Sequence, residues 1–464
     1  MTQPHDLRTF LHFVRERSGR HYVQVDRPVS PKWEMAAIVA KLEAGMRMPV
    51  IEFANVEGTV WHVVTNVCAS MNRVAGSHGV STAEFEKRLQ DSYDRPIAPV
   101  PWSGAAIAPV RENVLEGEAV NLLDLPQIRY TEVETSPYLT ATAVVARDPV
   151  TGVLNVSYHR LMICGRDSTA IYIAPGGHLQ QIVDRNAANG DETPVAAFSG
   201  CHPTWSLGAL AAGSADVDEY QIIGGLLGSP LETTPGIVDP SLPVPARAEL
   251  VLEGTIDPVT LVEEGPFGEF AGYAMEREER PLFKVSVLSH RNDPLFQDIV
   301  AGRLEHLTMA GVTLRAHLQH TVCERTAGIL DIHLPAPMTV FLKVDTAALP
   351  NGAVPKLIRD LLGESYVKHV YCFDTDIDLT NSSSIQWAIA TRVQADRDIV
   401  MLTGARGNEM DPSEIDGKTT KWGVDATAKP NLASYARRNT IPREIYDRID
   451  VRAILTDRGT GSRE

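Results

Sequence analysis

Two carboxylates five positions apart, in Glu264-Gly265-Pro266-Phe267-Gly268-Glu269, sit on a stretch that one proline stiffens and two glycines loosen. Pro266 fixes its own φ, and Gly265 and Gly268 can adopt backbone angles that other residues resist, so the acids can converge without sharing a helix. Crowded carboxylates tend to share a proton, because like charge and burial both oppose the second ionisation. An ordinary solvated turn has the same composition, so the pair needs other residues beside it before it means chemistry. Asn155 and Arg160 lie on the apolar run Val153 to Met162, where an amide and a guanidinium need partners if they are buried. Residues five apart on a regular strand face opposite sides, so both meet one ligand only if the strand bulges, ends or lies at a cleft rim. An exposed edge strand would need no such partner.

Pro175-Gly176-Gly177-His178 immediately precedes a predicted helix, and a glycine-led helix start offers free N–H groups that suit a phosphate. His178 there could ligate a metal near that phosphate, or be a surface histidine. Glu219 opens another helix after the small-residue run Ala211-Ala212-Gly213-Ser214, where backbone can approach a ligand closely. Asn155, His178 and Glu219 would form a mixed nitrogen and oxygen set, which suits manganese or magnesium with phosphate oxygens rather than zinc.

Other constellations fall away. Cys201-His202 lacks the surroundings of a thiol protease. Gly224-Gly225-Leu226-Leu227-Gly228 lies inside an apolar helical pattern, not at the strand-to-helix turn of a dinucleotide site. Asp374-Thr375-Asp376-Ile377-Asp378 opens like a calcium loop, but Leu379 and Ile385 stand where glycine and glutamate are needed.

These residues must be positioned by more than one core, because 464 residues predict two or three domains. Apolar positions Leu7, Phe10, Leu11 and Val14, then Met35, Ile38, Val39 and Leu42, predict two amphipathic helices. Strand-like runs at 50–53 and 60–64 complete an α/β opening domain, and the proline-rich stretch 96–109 reads as a linker. From 138 to 300 strands dominate, at 140–146, 153–162, 249–256 and 283–289, with helices inserted at 178–189 and from 219, which predicts a barrel or sandwich. The last third returns to α/β character, with a helix at 354–362, a strand at 370–373 and an element around 387–393.

A formal charge of -16, from 59 acids against 43 bases, disfavours nucleic acid and anionic membrane surfaces as partners. No apolar run reaches membrane-spanning length and no leader pattern opens the chain. Five scattered cysteines suggest neither a disulfide framework nor a thiolate metal site, so a reduced cytoplasm is expected.

Together these residues resemble the UbiD family of reversible decarboxylases, which use prenylated FMN. The resemblance rests on Asn155 with Arg160, His178, Glu219, the acid pair in its order, Lys368 before the strand 370–373, and the segments Trp387 to Arg392 and Asp425 to Pro430. It implies an N-terminal α/β domain (1–110), a central split β-barrel of flavin-reductase type holding the cofactor (111–305) and a C-terminal α/β dimerisation domain (306–464). Implied cofactor contacts come from Ser157, Tyr158, His159, Arg160, Gly177, His178, Ala211, Ala212, Gly213, Glu219 and Lys368. Asn155, His178 and Glu219 would hold Mn²⁺ or Mg²⁺, carbonyls near Ala211 to Gly213 a potassium ion, and a separate flavin prenyltransferase would supply the cofactor to a cytoplasmic homodimer.

The implied reaction is reversible non-oxidative decarboxylation of a small aromatic, heteroaromatic or α,β-unsaturated acid. Carbon dioxide leaves readily only when the abandoned electron pair is delocalised, and side chains offer no such sink. Glu264 would donate the replacing proton, tuned by Glu269, with Arg160 pairing the substrate carboxylate or Glu264. His306, in Arg303-Leu304-Glu305-His306-Leu307, resembles a histidine of members acting on aromatic or heteroaromatic acids. Two other readings remain: an FMN-dependent oxidoreductase on a split barrel, and a flavin- or metal-binding protein without catalysis, which would leave the buried charges without a purpose.

Overall fold

The structure, a computed structural model, describes residues 5–17, 20–211, 217–323, 326–350, 352–429, 439 and 441–451. Both opening helices form where the periodicity places them. Leu7–Arg15 buries Leu7, Phe10, Leu11 and Val14 and starts at Asp6, whose carboxylate accepts from the Thr9 amide. Glu34–Ala44 buries Met35, Ala36 and Val39.

Four sheets of three or more strands organise the described chain. Tyr22–Val25, Val50–Phe53 and His62–Thr65 form the first, and Leu295–Gln297 joins it as a parallel fourth strand beside His62–Thr65. The proline-rich stretch is strapped down rather than free: Val100–Pro101 pairs with Glu232–Pro235 and Pro243–Pro245 beyond, the Val100 amide donating to Leu231 at 2.7 Å.

The central sheet has nine strands and curls into a half-barrel within a mixed α/β fold. Its spine is the antiparallel pair Leu250–Glu264 and Glu278–His290, bent by register shifts at Glu253/Gly254 and Asp257/Leu261. Gly254 is required at the first shift, since a Cβ there would lie 1.8 Å from the Lys284 carbonyl oxygen. Helices His178–Asn189 and Glu219–Leu227 begin at the two residues singled out from sequence. The C-terminal sheet runs Ile329–Ala336, Thr339–Val344, His369–Asp374, Lys418–Asp425, Ile399–Arg406, and the ambiguous element around 387 is the helix Ser382–Arg392. Among the described residues no helix is long and apolar enough to cross a membrane.

Candidate active site

The apolar run from 153 to 162 is not one strand. Leu154–Tyr158 pairs with Ala143–Arg147, and Leu161–Ile163 then pairs with Tyr138–Leu139 and Ser168–Ile171 instead. His159 and Arg160 fill the break, where the His159 amide donates to the Thr142 carbonyl (3.1 Å) and the Thr142 hydroxyl donates to the His159 carbonyl (2.6 Å). An ended strand is one of the conditions under which Asn155 and Arg160 can serve one site, and it is met.

Arg160 joins the two acids. Its Nε donates to Glu264 Oε1 at 2.9 Å and its Nη2 to Glu264 Oε2 at 2.8 Å, a forked pairing, while Nη1 donates to Glu269. The guanidinium also lies 4.3 Å from the ring centre of Tyr172 and 4.7 Å from that of Phe267. Glu264 ends the strand Leu250–Glu264, and the chain turns at Gly265, which has φ 98° and no room for a Cβ. The Gly265–Pro266 peptide is cis. All three charged side chains are over nine-tenths buried. A single cation thus faces two buried carboxyl groups.

A cavity of about 210 Å³ opens against this trio, lined by Tyr158, His159, Arg160, Glu269 and His306 among the residues expected from sequence. Glu264 does not line it. Tyr172, Phe267, Met309, Tyr366 and Met410 give the cavity aromatic and apolar walls. His306 lies in the first turn of the helix Leu304–Leu318, whose rotation is fixed by the preceding Glu305 accepting from the Asn66 and Cys68 amides at 2.7 Å each. Burial lowers the pKa of His306 against the opposing pull of Glu269, and its Nδ1 accepts from the Gly302 amide at 3.2 Å. The neutral ring therefore carries its proton on Nε2 and is a hydrogen-bond donor.

A second small cavity, about 10 Å³, lies between Asn155, Asp148 and His178 and has room for roughly one water or ion. Glu219 adjoins it, accepting from Asn155 Nδ2 (3.3 Å) and the Val156 amide (2.8 Å), and burial pushes its carboxyl up to about 8. The donor set fits a cation. His159, pushed down to about 4 by burial, must donate from Nδ1 to the Tyr172 carbonyl (2.8 Å), so its bare Nε2 takes the Ser157 hydroxyl proton (2.8 Å). Ser157 has no second proton for Asn155 Oδ1, 3.1 Å away, and that oxygen is left facing a place for positive charge. Among the described residues no three His, Cys, Asp or Glu side chains gather around a metal position, so the amide oxygen would be an essential ligand.

Lys368 is not brought to either cavity. Its Nζ donates to Asp411 and Ser413, each at 2.5 Å, beside an open surface hollow. Arg406 instead reaches the turn before His178, its Nη2 3.7 Å from the place a Cβ would take on Gly176. Gly177 caps the helix His178–Asn189 without a side-chain bond. Ala211 is buried, with its amide on the Gly208 carbonyl, whereas Ala212 and Gly213 lie outside the described residues. Cys201 and His202 are buried and burial drives the thiol pKa up, against any thiolate role.

The cavity floor rests on Asp298. Its Oδ1 accepts from Tyr130 (2.5 Å) and from the cavity-lining Thr140 (3.1 Å), and Oδ2 has no partner among the described residues. Burial, opposed by the two hydroxyls, pushes Asp298 up to about 6 from an ordinary 3.8. A carboxyl raised in the folded state contributes stability fully below the unfolded value and loses it as pH rises through the folded one. Wild type measured against Asp298→Asn is therefore expected to lose roughly 3 kcal/mol of relative stability between about pH 3 and about pH 7. Denaturant unfolding of both proteins at the two pH values checks this, and a constant difference would contradict it.

Comparison with known proteins places this geometry among decarboxylases. Residues 104–304 match the 3-octaprenyl-4-hydroxybenzoate carboxy-lyase Rift-related domain, residues 307–426 its C-terminal domain and residues 15–92 its N-terminal domain, the set denoted UbiD. The chain is 33% identical to anhydromevalonate phosphate decarboxylase of Methanosarcina mazei over 449 residues, covering 94% of this chain and 100% of that protein. It is 28% identical to phenolic acid decarboxylase of Sedimentibacter hydroxybenzoicus over 440 residues, 91% of each. Among solved structures, the UbiD-class enzyme HmfF from Pelotomaculum thermopropionicum in complex with FMN superimposes with TM-score 0.88 at 32% identity, over 98% of this chain and 100% of that one. An evolved dimeric form of the same enzyme in complex with prFMN gives 0.84 at 30% identity, over 97% and 100%.

Proposed function

Because the chain belongs to the UbiD family of carboxy-lyases, and is thereby a decarboxylase, we propose that it removes carbon dioxide from an aromatic, heteroaromatic or α,β-unsaturated acid, using prenylated FMN. The observation that carries this reading is Arg160 clamped between Glu264 and Glu269 at the wall of a mostly apolar cavity. Prenylated FMN, when bound, supplies the electron sink that no side chain offers. Arg160 orients the acids and meets the substrate carboxylate with the Nη2 N–H its partners leave free. Glu269, on the cavity wall, delivers the proton that replaces carbon dioxide. The sequence alone points to Glu264 for that step. Glu264, however, commits both oxygens to Arg160 and does not line the cavity, so its part is to anchor the guanidinium.

Asn155, His178 and Glu219 would hold Mn²⁺ or Mg²⁺ against the cofactor phosphate, and the backbone at 211–213 a potassium ion. The reading extends to a central split barrel of flavin-reductase type, a cytoplasmic homodimer joined through residues 306–464, and a separate prenyltransferase as cofactor source.

Charge narrows the substrate. Arg160 is the only lysine or arginine lining the cavity among the described residues, and both acids already hold it. A phosphorylated acid, such as the relative from Methanosarcina mazei is named for, would add negative charge with no free cation to meet it. The neutral Nε2–H of His306 suits an uncharged ring or chain bearing one acceptor.

The deciding experiment is purification after co-expression with a flavin prenyltransferase, with mass and absorbance spectra of the bound flavin and carbon dioxide release from furan-2-carboxylate, 4-hydroxybenzoate and cinnamate. Ordinary FMN that accepts hydride from a nicotinamide, with no carbon dioxide released, would sink the reading. His306→Ala is expected to raise KM for furan-2-carboxylate about 10-fold, the loss of one buried hydrogen bond, with little change for cinnamate. Unchanged turnover of both would remove His306 from the site.

A further inference from the structure

Tyr138 is fully buried and belongs to none of the roles assigned so far. Its strand, Tyr138–Leu139, pairs antiparallel with Leu161–Ile163, the strand that starts directly after Arg160, with Tyr138 opposite Met162. This places its phenol between the arginine and the acid loop. The hydroxyl accepts from the Gly265 amide at 3.1 Å, the first amide after Glu264. The ring packs on Phe267, centroids 4.5 Å apart, inside the same loop. Having accepted from an amide, the hydroxyl keeps its own proton to give, and the carboxylate facing it is Glu264. The far end of the loop is tied separately, by the Glu269 amide donating to the Tyr273 carbonyl at 2.9 Å.

We infer that Tyr138 is a positioning residue for proton delivery: through Gly265, Phe267 and Glu264 it fixes the start of the acid loop, and so the reach of Glu269 into the cavity. Without those contacts the loop keeps its strand pairing through Glu264 and through Phe267 and Gly268, and its tie to Tyr273, but the turn at Gly265 between them loses its anchor, so Glu264 can shift on Arg160, and Glu269 shares that guanidinium. Displacements near 1 Å in a reacting group reduce rates by about 100-fold. The inference rests on Glu269 being the acid, as proposed above.

The test is Tyr138→Phe in the flavin-loaded enzyme, which keeps the ring and its volume. With whichever acid the wild type turns over fastest, kcat per bound flavin should fall about 10- to 100-fold, while KM, flavin content and melting temperature stay near wild type. Hydrogen exchange of the peptide 264–270, read by mass spectrometry, should become faster in the variant. A role confined to packing survives in phenylalanine and would leave kcat per flavin at the wild-type value, and that outcome, or unchanged exchange in 264–270, overturns the inference. Glu269→Gln run alongside separates the two ideas: activity in that variant would break the underlying reading, whereas a dead Glu269→Gln beside a fully active Tyr138→Phe would break only this one.

Discussion

Glu269→Gln in the flavin-loaded enzyme is expected to bind flavin and acid normally and to lose turnover by about 10²- to 10⁴-fold, the range of a missing general acid. The amide keeps the length of the side chain and can still accept from Arg160 Nη1, so the guanidinium need not move. What disappears is the proton that must reach the carbon left by carbon dioxide. Microscopic reversibility adds a second readout: the same group removes that proton in the reverse direction, so deuterium exchange from solvent into the product should disappear with turnover. Glu264→Gln is expected to behave differently. It replaces one arm of a forked carboxylate with an amide that cannot accept from Nε and Nη2 together, so Arg160 loosens, KM rises and residual exchange persists. If Glu264→Gln abolishes exchange while Glu269→Gln retains it, the two acids have the opposite roles.

Which acid faces the substrate was not legible in the sequence, and the reason is local. Around Gly265 and Pro266 the chain leaves the alternation of a strand, so parity along Glu264 to Glu269 does not assign sides. The features that were legible are governed by short-range chemistry. An amide and a guanidinium in an apolar run could share a ligand only if the strand bulged, ended or met a cleft rim, and it ends at Tyr158. Helix starts at His178 and Glu219 followed from glycines and small residues just before them. Tyr138 lies 127 positions from its partner Gly265 and left no local signal, because a tyrosine in a strand is ordinary until the loop it holds is known. That Lys368 lines neither of the two cavities has a similar reason. Its partner Asp411 comes 43 residues later, from a loop whose return to this strand could not be read from spacing. Likewise, Leu295–Gln297, a three-residue strand, completes the first sheet from deep in the central segment, below the length at which alternation can be recognised.

Arg160→Met is expected to destabilise the folded protein by about 3–5 kcal/mol and to abolish decarboxylation. Methionine fills much of the arginine's volume between Tyr172 and Phe267, so the loss is not a cavity effect. It arises because Glu264 and Glu269 stay buried, on opposite sides of a space that no longer holds a cation. A carboxylate without a partner costs far more to bury than a protonated carboxyl. The folded variant therefore takes up protons that the unfolded chain does not, and by linkage its stability deficit shrinks as pH falls. Arg160→Lys should fall between: the positive charge remains and folding is largely preserved, but a single ammonium cannot hold both arms of Glu264 and also Glu269, so turnover drops while stability mostly survives. Denaturant unfolding of the three proteins at about pH 5 and pH 8 measures both effects. A methionine variant as stable as wild type at both pH values would mean that the acids find other partners once the arginine is gone, and that the trio is not what sets this site.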